Sequence, residues 1–203
     1  MRNRSRRDDN LRRQLAYLAA RLMAEEGVTD VAFAKHKAAR QAGLVEARLL
    51  PDNREIEAAL RDYQGLFQSN TQPAELRALR VAALALMKSL GSFHPALVGP
   101  VLGGTANQHS EITLQLFADD EKAVALFLVN GRWRYEPLGG VERGAADGRA
   151  PFARFRVWAG EAPAVLQVYR PEDERHLARP RASTPEGAAT RARIDELEAL
   201  IGA

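Results

Sequence analysis

Glu111 and Thr113, two residues apart on an alternating segment, are the first candidates for chemistry in this chain. Residues two apart on a β-strand point to the same face, while the residue between them, here Ile112, points to the other face. A carboxylate binds a hard divalent cation, and a magnesium site normally combines one or two carboxylates with the phosphates of its substrate. Because Thr113 offers only a neutral hydroxyl, the pair is a poorer cation site than two acids would be.

A glycine-rich turn precedes this segment. The chain reads Val98-Gly99-Pro100-Val101-Leu102-Gly103-Gly104 and then Ser110-Glu111-Ile112-Thr113-Leu114. Over about residues 75–170 it resembles the nucleotidyltransferase superfamily, in which a strand ends in Gly-Ser, a further glycine follows, and the next strand begins Ser-Asp-Ile-Asp-Leu. The positions that match are Gly99, Gly104, Ser110, Ile112 and Leu114.

The resemblance implies a site that holds two divalent cations through three acids, two on this strand and one on a later strand. In this chain only Glu111 is an acid, since Thr113 and Gln167 stand at the other two positions. Pro100 replaces the family serine, and proline has no N–H to donate to a phosphate. Two-metal phosphoryl chemistry depends on cations that the protein fixes in place. We therefore expect the family mechanism to be lost.

The resemblance also implies a nucleotide-binding loop. Its phosphate-facing backbone amides are expected at Gly103, Gly104 and Thr105. The predicted loop consists of Gly99, Gly103, Gly104, Thr105 and Ser110.

The predicted function is a nucleotidyltransferase-fold protein that is catalytically degenerate and binds a nucleotide, an RNA or a protein partner. One alternative is an active enzyme that uses Glu111, with Asp119, Asp120 or a loop acid completing a Mg or Mn site. Another alternative is a helical adaptor or scaffold protein. His109 would share the face of Glu111 on an extended segment, but without a second histidine or acid at metal spacing we expect an ordinary loop histidine. Whether the chain is an enzyme stays open at this point.

A second candidate site is a basic patch on a short helix near the N-terminus. Lys35, Lys37 and Arg40 crowd its polar side and would contact nucleic-acid phosphates, or would form a solvated helix face.

The composition is that of a globular chain: 203 residues, 46% hydrophobic and 27% charged, with a net charge of +3 and no cysteine. The absence of cysteine excludes a disulfide framework, a thiolate zinc site and a cysteine nucleophile. No apolar run is long enough to cross a bilayer, and the basic start lacks the apolar segment of a secretory signal. The sequence predicts a cytoplasmic protein without a membrane partner.

The periodicity of apolar residues predicts an α+β fold in which an N-terminal helical region precedes a small mixed-sheet domain with flanking helices. The expected organisation is a basic disordered tail (1–8), a helical region (9–94), a nucleotidyltransferase-like α+β domain (95–178), and a linker with a C-terminal helix (179–203). Helices are predicted over residues 9–26, 30–42, 53–67, 73–90, 119–129 and 185–200. Strands are predicted over residues 96–101, 111–117, 133–136, 152–158 and 164–169.

Overall fold

The computed structural model describes residues 2–43, 49–139, 150–177 and 189–202. The fold is α+β, with a five-stranded mixed sheet and helices at both ends of the chain. The described residues form two compact units. The helical unit contains the residues up to 75 together with 105–110, and the sheet unit contains 76–104, 111–139, 150–177 and 189–202. The sequence places its division near residue 95 instead.

The helical unit is built from α1 (Arg2–Glu26), α2 (Val31–Gln41) and α3 (Asn53–Phe67). Small residues line the contact between these helices, which allows their backbones to approach closely. Apolar burial of this kind is the main stabilising contribution to such a unit. One core cluster of this unit consists of Ala16, Ala19, Leu22, Ala34, Ala38 and Ile56.

Side-chain caps fix where two of these helices begin. The Asp30 carboxylate accepts the Phe33 amide at 3.0 Å and so caps the start of α2. At α3, the Asp52 carboxylate accepts the Glu55 amide while the Glu55 carboxylate accepts the Asp52 amide, which is a capping box. The bounds predicted for α3 are confirmed. Gly27, with φ of +68°, follows the last residue of α1 and ends the helix.

The sheet unit follows α4 (Gln72–Ser89), whose first residues belong to the helical unit. Its strand order is β1-β2-β5-β4-β3, in which β2 and β5 are parallel and the other neighbours are antiparallel. The elements in chain order are β1 (Ala96–Val98), α5 (Pro100–Gly103), β2 (Ile112–Phe117), α6 (Glu121–Asn130), β3 (Tyr135–Pro137), β4 (Ala153–Ala159), β5 (Ala162–Tyr169), α7 (Glu174–Leu177) and α8 (Ile194–Gly202).

The strand register gives the sheet two different faces. One face is apolar and buried, and Leu97, Leu114 and Leu166 lie on it side by side because their Cα atoms are paired across β1, β2 and β5. The alternate residues of the same strands form the opposite face, which we call the polar face. Its polar residues are Glu111, Thr113, Gln115, Arg154, Arg156 and Gln167, and the same face also carries the buried residues Ala96, Phe117, Val165 and Tyr169.

Three predicted elements differ from the structure. Helix α1 begins at Arg2 and therefore includes residues 2–8, which were predicted to be a disordered tail. The strand predicted over 96–101 ends at Val98, since Gly99 adopts φ of +75° and Pro100 begins α5. The C-terminal helix α8 begins at Ile194, since Ala192 forms a β-bridge with Leu97, and the start predicted at residue 185 lies outside the described residues.

Other predictions fall where the structure gives no description. The linker at 179–184 and most of the predicted loop at 139–151 lie outside the described residues. Within the described residues, none of the helices combines the length and apolar character needed to cross a membrane.

Candidate functional site

The polar face aligns hydrogen-bonding side chains across three adjacent strands. Gln115 of β2 is paired with Gln167 of β5, and Gln167 is paired with Arg154 of β4. The neighbouring row places Thr113 beside Val165, and Val165 beside Arg156. Paired residues project to the same side of a sheet, so the two rows share one surface. This surface combines amides with guanidinium groups.

Glu111, the only acid at the three positions implied by the resemblance, forms an ion pair on this surface. The Nε atom of Arg156 donates to its Oε1 atom at 2.9 Å. A second carboxylate, that of Glu136, lies 4.0 Å from Nη1 of the same guanidinium. The side chains of Glu111 and Arg156 are about one-third exposed, at 33% and 35%. The protein therefore supplies a cation of its own to this carboxylate.

The donor set does not fit a two-metal site. Thr113 and Gln167 carry no charge, and Gln167 is paired with Gln115 and not with Thr113. Gln167 therefore lies one strand over from Thr113 and one two-residue repeat farther along, which places their Cα atoms about 8 Å apart. Within the described ranges, no group of three or more histidine or acidic side chains is arranged to hold a metal ion.

The alternative ligands Asp119 and Asp120 do not join Glu111. They follow the last residue of β2 whereas Glu111 precedes its first, and a six-residue strand separates its two ends by about 20 Å. The Asp120 side chain instead caps α6 by accepting the Lys122 amide at 2.9 Å. These aspartates therefore do not complete a metal site around Glu111.

The glycine turn lies beside the polar face. A Cβ atom added to Gly99 would lie 3.9 Å from the Thr113 side chain. Gly99 has φ of +75° and ψ of −156°, a conformation that essentially only glycine adopts. Inside the turn, the Gly103 amide donates to the Gly99 carbonyl and the Gly104 amide donates to the Pro100 carbonyl, both at 2.9 Å. These two amides, predicted to face a phosphate, are already hydrogen-bonded within α5.

Arg80 of α4 anchors this turn from its other end. Its Nε atom donates to the Val101 carbonyl at 3.1 Å and its Nη2 atom donates to the Leu102 carbonyl at 3.3 Å. Burial lowers the pKa of Arg80 from its usual value. A basic group near the last carbonyls of a helix is favourable, so Arg80 holds α5 in place beside β2.

The other two residues of the predicted nucleotide loop, Thr105 and Ser110, belong to the helical unit. The Thr105 carbonyl accepts the Gln64 side-chain amide at 2.9 Å. The Ser110 hydroxyl accepts the Asn107 amide at 3.0 Å, as small hydroxyl residues commonly do in loops. His109 packs against Gly27, where an added Cβ would lie only 2.9 Å from its Cγ. These residues fix the loop between α5 and β2.

Two arginines bound the polar face at the end of β2 and β5. The guanidinium carbons of Arg191 and Arg193 lie 5.3 and 5.8 Å from the centre of the Phe117 ring. Both side chains pair with Glu174. Burial lowers the pKa of each arginine. Glu196 also lies near both arginines and Asp195 lies near Arg193, so acids balance the two guanidiniums at this end of the face.

Gln115 is buried without full hydrogen bonding. The residue is 6% exposed, and its Oε1 atom has no hydrogen-bond partner in the structure. Its row neighbour Gln167 accepts the Tyr169 hydroxyl at 3.2 Å. A buried acceptor without a partner costs about 1–3 kcal/mol. Such a group calls for an explanation.

The basic patch on α2 is divided between two neighbours. Lys35 donates to the Asn53 side chain at 3.2 Å, whereas Lys37 pairs with Glu26. Arg40 is exposed in the last turn of α2. Residues two apart on a helix do not share a face, so the two lysines do not form one surface. The nucleic-acid patch stays a prediction.

A groove of about 590 Å³ lies in the helical unit. It is bordered mainly by apolar side chains of α1, with Arg13 as its one charged lining residue among the described residues. Since it holds no acid and no partner for a phosphate besides this arginine, the polar face is the stronger candidate site.

Gln115, Arg154 and Arg156 are not among the site residues predicted from the sequence. A signal was present, because Arg154 and Arg156 alternate with the buried residues Phe155 and Val157 in a predicted strand. That alternation assigns the arginines to one face. Comparison with protein-family models, curated proteins and solved structures gives no match to this chain.

Proposed function

We propose that this protein is a nucleotidyltransferase-fold protein that binds a nucleotide on the polar face without a metal ion and does not catalyse nucleotidyl transfer. The observation that carries this proposal is the ion pair between Glu111 and Arg156, at 2.9 Å. It places a fixed guanidinium next to the one carboxylate that a cation would otherwise use. A cytoplasmic location, where nucleotides are abundant, is part of the proposal.

Arginine suits the role that a metal ion would have in phosphate binding. Its planar guanidinium presents several N–H donors in a fork that matches a phosphate, and it stays charged. Arg154 and Arg156 lie on β4, and Arg134 directly precedes β3. The guanidinium of Arg134 stacks on the Trp158 ring, 4.0 Å from its centre. The ligand phosphates would compete with Glu111 for Arg156, so Glu111 limits the affinity for anions.

The first experiment measures binding of ATP by isothermal titration calorimetry, once with Mg²⁺ and once with EDTA. We expect the two dissociation constants to agree within about twofold. Charge-assisted hydrogen bonds contribute about 1.5–3 kcal/mol each, so Arg156→Gln is expected to weaken binding at least about tenfold. The matched control is Arg77→Gln, which removes an exposed arginine of α4 that lies outside the polar face. Binding that requires Mg²⁺ would contradict the proposal.

A transfer assay separates this proposal from an active enzyme. The protein is incubated with each α-labelled nucleoside triphosphate, Mg²⁺ or Mn²⁺, and cellular RNA and protein. We expect no transferred label. Transfer that disappears in Glu111→Ala would establish an enzyme, whereas a protein that neither binds nor transfers nucleotides would match the helical adaptor.

A further inference from the structure

We infer that Arg134, held flat on the Trp158 ring, is the platform on which the base of the bound nucleotide stacks. The inference rests on the proposed function, because it takes Arg156 as the anchor of the phosphates. It deepens that function by naming the residue that binds the other end of the ligand. Stacking uses the π-face that all bases share, so the predicted ligand is a nucleotide with any planar base.

The first support is the geometry of the arginine and the tryptophan. The Cζ atom of Arg134 lies 4.0 Å from the centre of the Trp158 ring. Tyr135 is paired with Val157 in the antiparallel ladder of β3 and β4, so the next pair along the ladder places Arg134 beside Trp158. Tryptophan is the aromatic residue that attracts a guanidinium most strongly. The indole ring therefore orients the guanidinium before a ligand binds.

The second support is accessibility. Arg134 is exposed, whereas Trp158 is half-buried. Arg134 directly precedes β3, which is the outer strand of the described sheet, so no further strand of that sheet covers it. One side of the guanidinium plane faces the indole ring, and because the residue is exposed the other side is open to solvent. A base can reach this side without the movement of a buried group.

The third support is the distance to the phosphate anchor. Arg134 and Arg156 are separated by one strand spacing and one two-residue repeat, which places their Cα atoms about 8 Å apart. The two residues lie on the same side of the sheet, since Arg156 alternates with Val157 and so does Trp158. A single sugar joins the phosphate and the base of a nucleotide. One nucleotide can therefore contact both arginines.

The fourth support is chemical. The guanidinium of arginine is planar and stacks on aromatic faces, and proteins use such planes to bind unpaired bases. The ammonium of lysine carries the same charge but has no plane to stack. Tripolyphosphate resembles the phosphates of ATP but lacks a base. Comparing these two side chains and these two ligands therefore separates stacking from charge.

The test is titration calorimetry on the 203-residue chain with ATP and with inorganic tripolyphosphate. We expect Arg134→Lys to weaken ATP binding at least about fivefold, because the stacking contact is lost. Tripolyphosphate binding is expected to stay within about twofold of wild type, because the charge is kept. The matched control is Arg77→Lys, at an exposed arginine of α4, and it should change neither affinity.

Trp158 is a positioning residue in this proposal, since it acts through Arg134. Trp158→Leu is expected to weaken ATP binding as much as Arg134→Lys does, and Trp158→Phe should restore part of the loss, because phenylalanine also attracts a guanidinium. Trp133→Phe leaves Trp158 as the one tryptophan of the chain. In that variant ATP should change the tryptophan fluorescence and tripolyphosphate should not. Equal losses of ATP and tripolyphosphate binding in Trp158→Leu would contradict a role in base stacking.

The two proposals fail in different ways. Equal ATP affinities for the wild type and Arg134→Lys, with tripolyphosphate binding still weakened by Arg156→Gln, would overturn the stacking platform and leave the proposed function standing. Tripolyphosphate binding that is insensitive to Arg156→Gln would overturn both. If a Trp158 variant does not fold, the exposed substitution Arg134→Lys decides by the same comparison of ATP with tripolyphosphate.

Discussion

Two glutamines, one in each unit, are buried to nearly the same degree but are hydrogen-bonded differently. Gln64 in the helical unit is 4% exposed and donates to the Thr105 carbonyl, whereas Gln115 in the sheet unit is 6% exposed and its Oε1 has no partner. Burying an amide is costly unless it is hydrogen-bonded. The difference indicates that the amide of Gln64 is satisfied within the fold, whereas the buried acceptor of Gln115 is not.

The largest effect is expected at the satisfied glutamine. Gln64→Met would leave the buried Thr105 carbonyl without its donor and lower the free energy of unfolding by roughly 2–3 kcal/mol. Urea denaturation followed by circular dichroism measures this change. The control is Gln14→Met on the exposed side of α1. A loss as small as that of the control would show that the Gln64 hydrogen bond adds little stability.

A second bond of the helical unit gives an effect that depends on pH. The Tyr63 hydroxyl donates to Glu25, and this hydrogen bond, with burial, raises the pKa of Tyr63 from 10 to about 12. Because the folded pKa is raised, the stabilisation is complete below pH 10 and is lost as the pH rises towards 12.

Between pH 10 and 12 the wild type is therefore expected to lose about 2 kcal/mol more stability than Tyr63→Phe. Urea denaturation at intervals across this range measures the difference, with Tyr17→Phe as the control. Parallel pH profiles for the wild type and Tyr63→Phe would rule out a shifted Tyr63.

The third effect has the opposite sign. Without ligand, Gln115→Met is expected to raise the free energy of unfolding by about 1 kcal/mol, because the substitution removes a buried acceptor that has no partner. The measurement is the same urea denaturation. A loss comparable to that in Gln64→Met would mean that the two glutamines have the same structural role.

The smallest change in stability is expected at the ion pair. Glu111→Gln should alter the free energy of unfolding by less than about 0.5 kcal/mol, since the pair is one-third exposed. It should nevertheless raise affinity for tripolyphosphate about threefold, because Arg156 no longer pairs with a carboxylate. Titration calorimetry tests this, with Glu161→Gln at an exposed turn as the control. An unchanged or weakened affinity would argue against competition between Glu111 and phosphate.

Local patterns predict much of the fold. The α+β class is confirmed, and so are the bounds of α3, because apolar residues at helical spacing over 53–67 determine the helix from within its own sequence. The alternation of residues near 112–117 and 164–169 likewise predicts β2 and β5. Pro100 directly after Gly99 was a helix-start signal that the strand prediction overlooked.

The site was harder to predict because it depends on register. Strand pairing between distant segments decides which residue of β5 lies beside Gln115. It also decides which arginine reaches Glu111. No spacing within one segment contains that information. The hydrogen bonds of the Gly103 and Gly104 amides were not predicted either. These amides donate to the Gly99 and Pro100 carbonyls because a short helix forms after Gly99.

The placement of residues 105–110 has a consequence for modularity. The chain leaves the sheet unit after Gly104, contributes six residues to the helical unit, and returns to the sheet unit at Glu111. A fragment that stops at residue 75 would lack the carbonyls that Gln64 and Gln72 bond. Neither unit can therefore be isolated by a single truncation or moved intact into a fusion protein. A recombination event would have to exchange the segments of both units together.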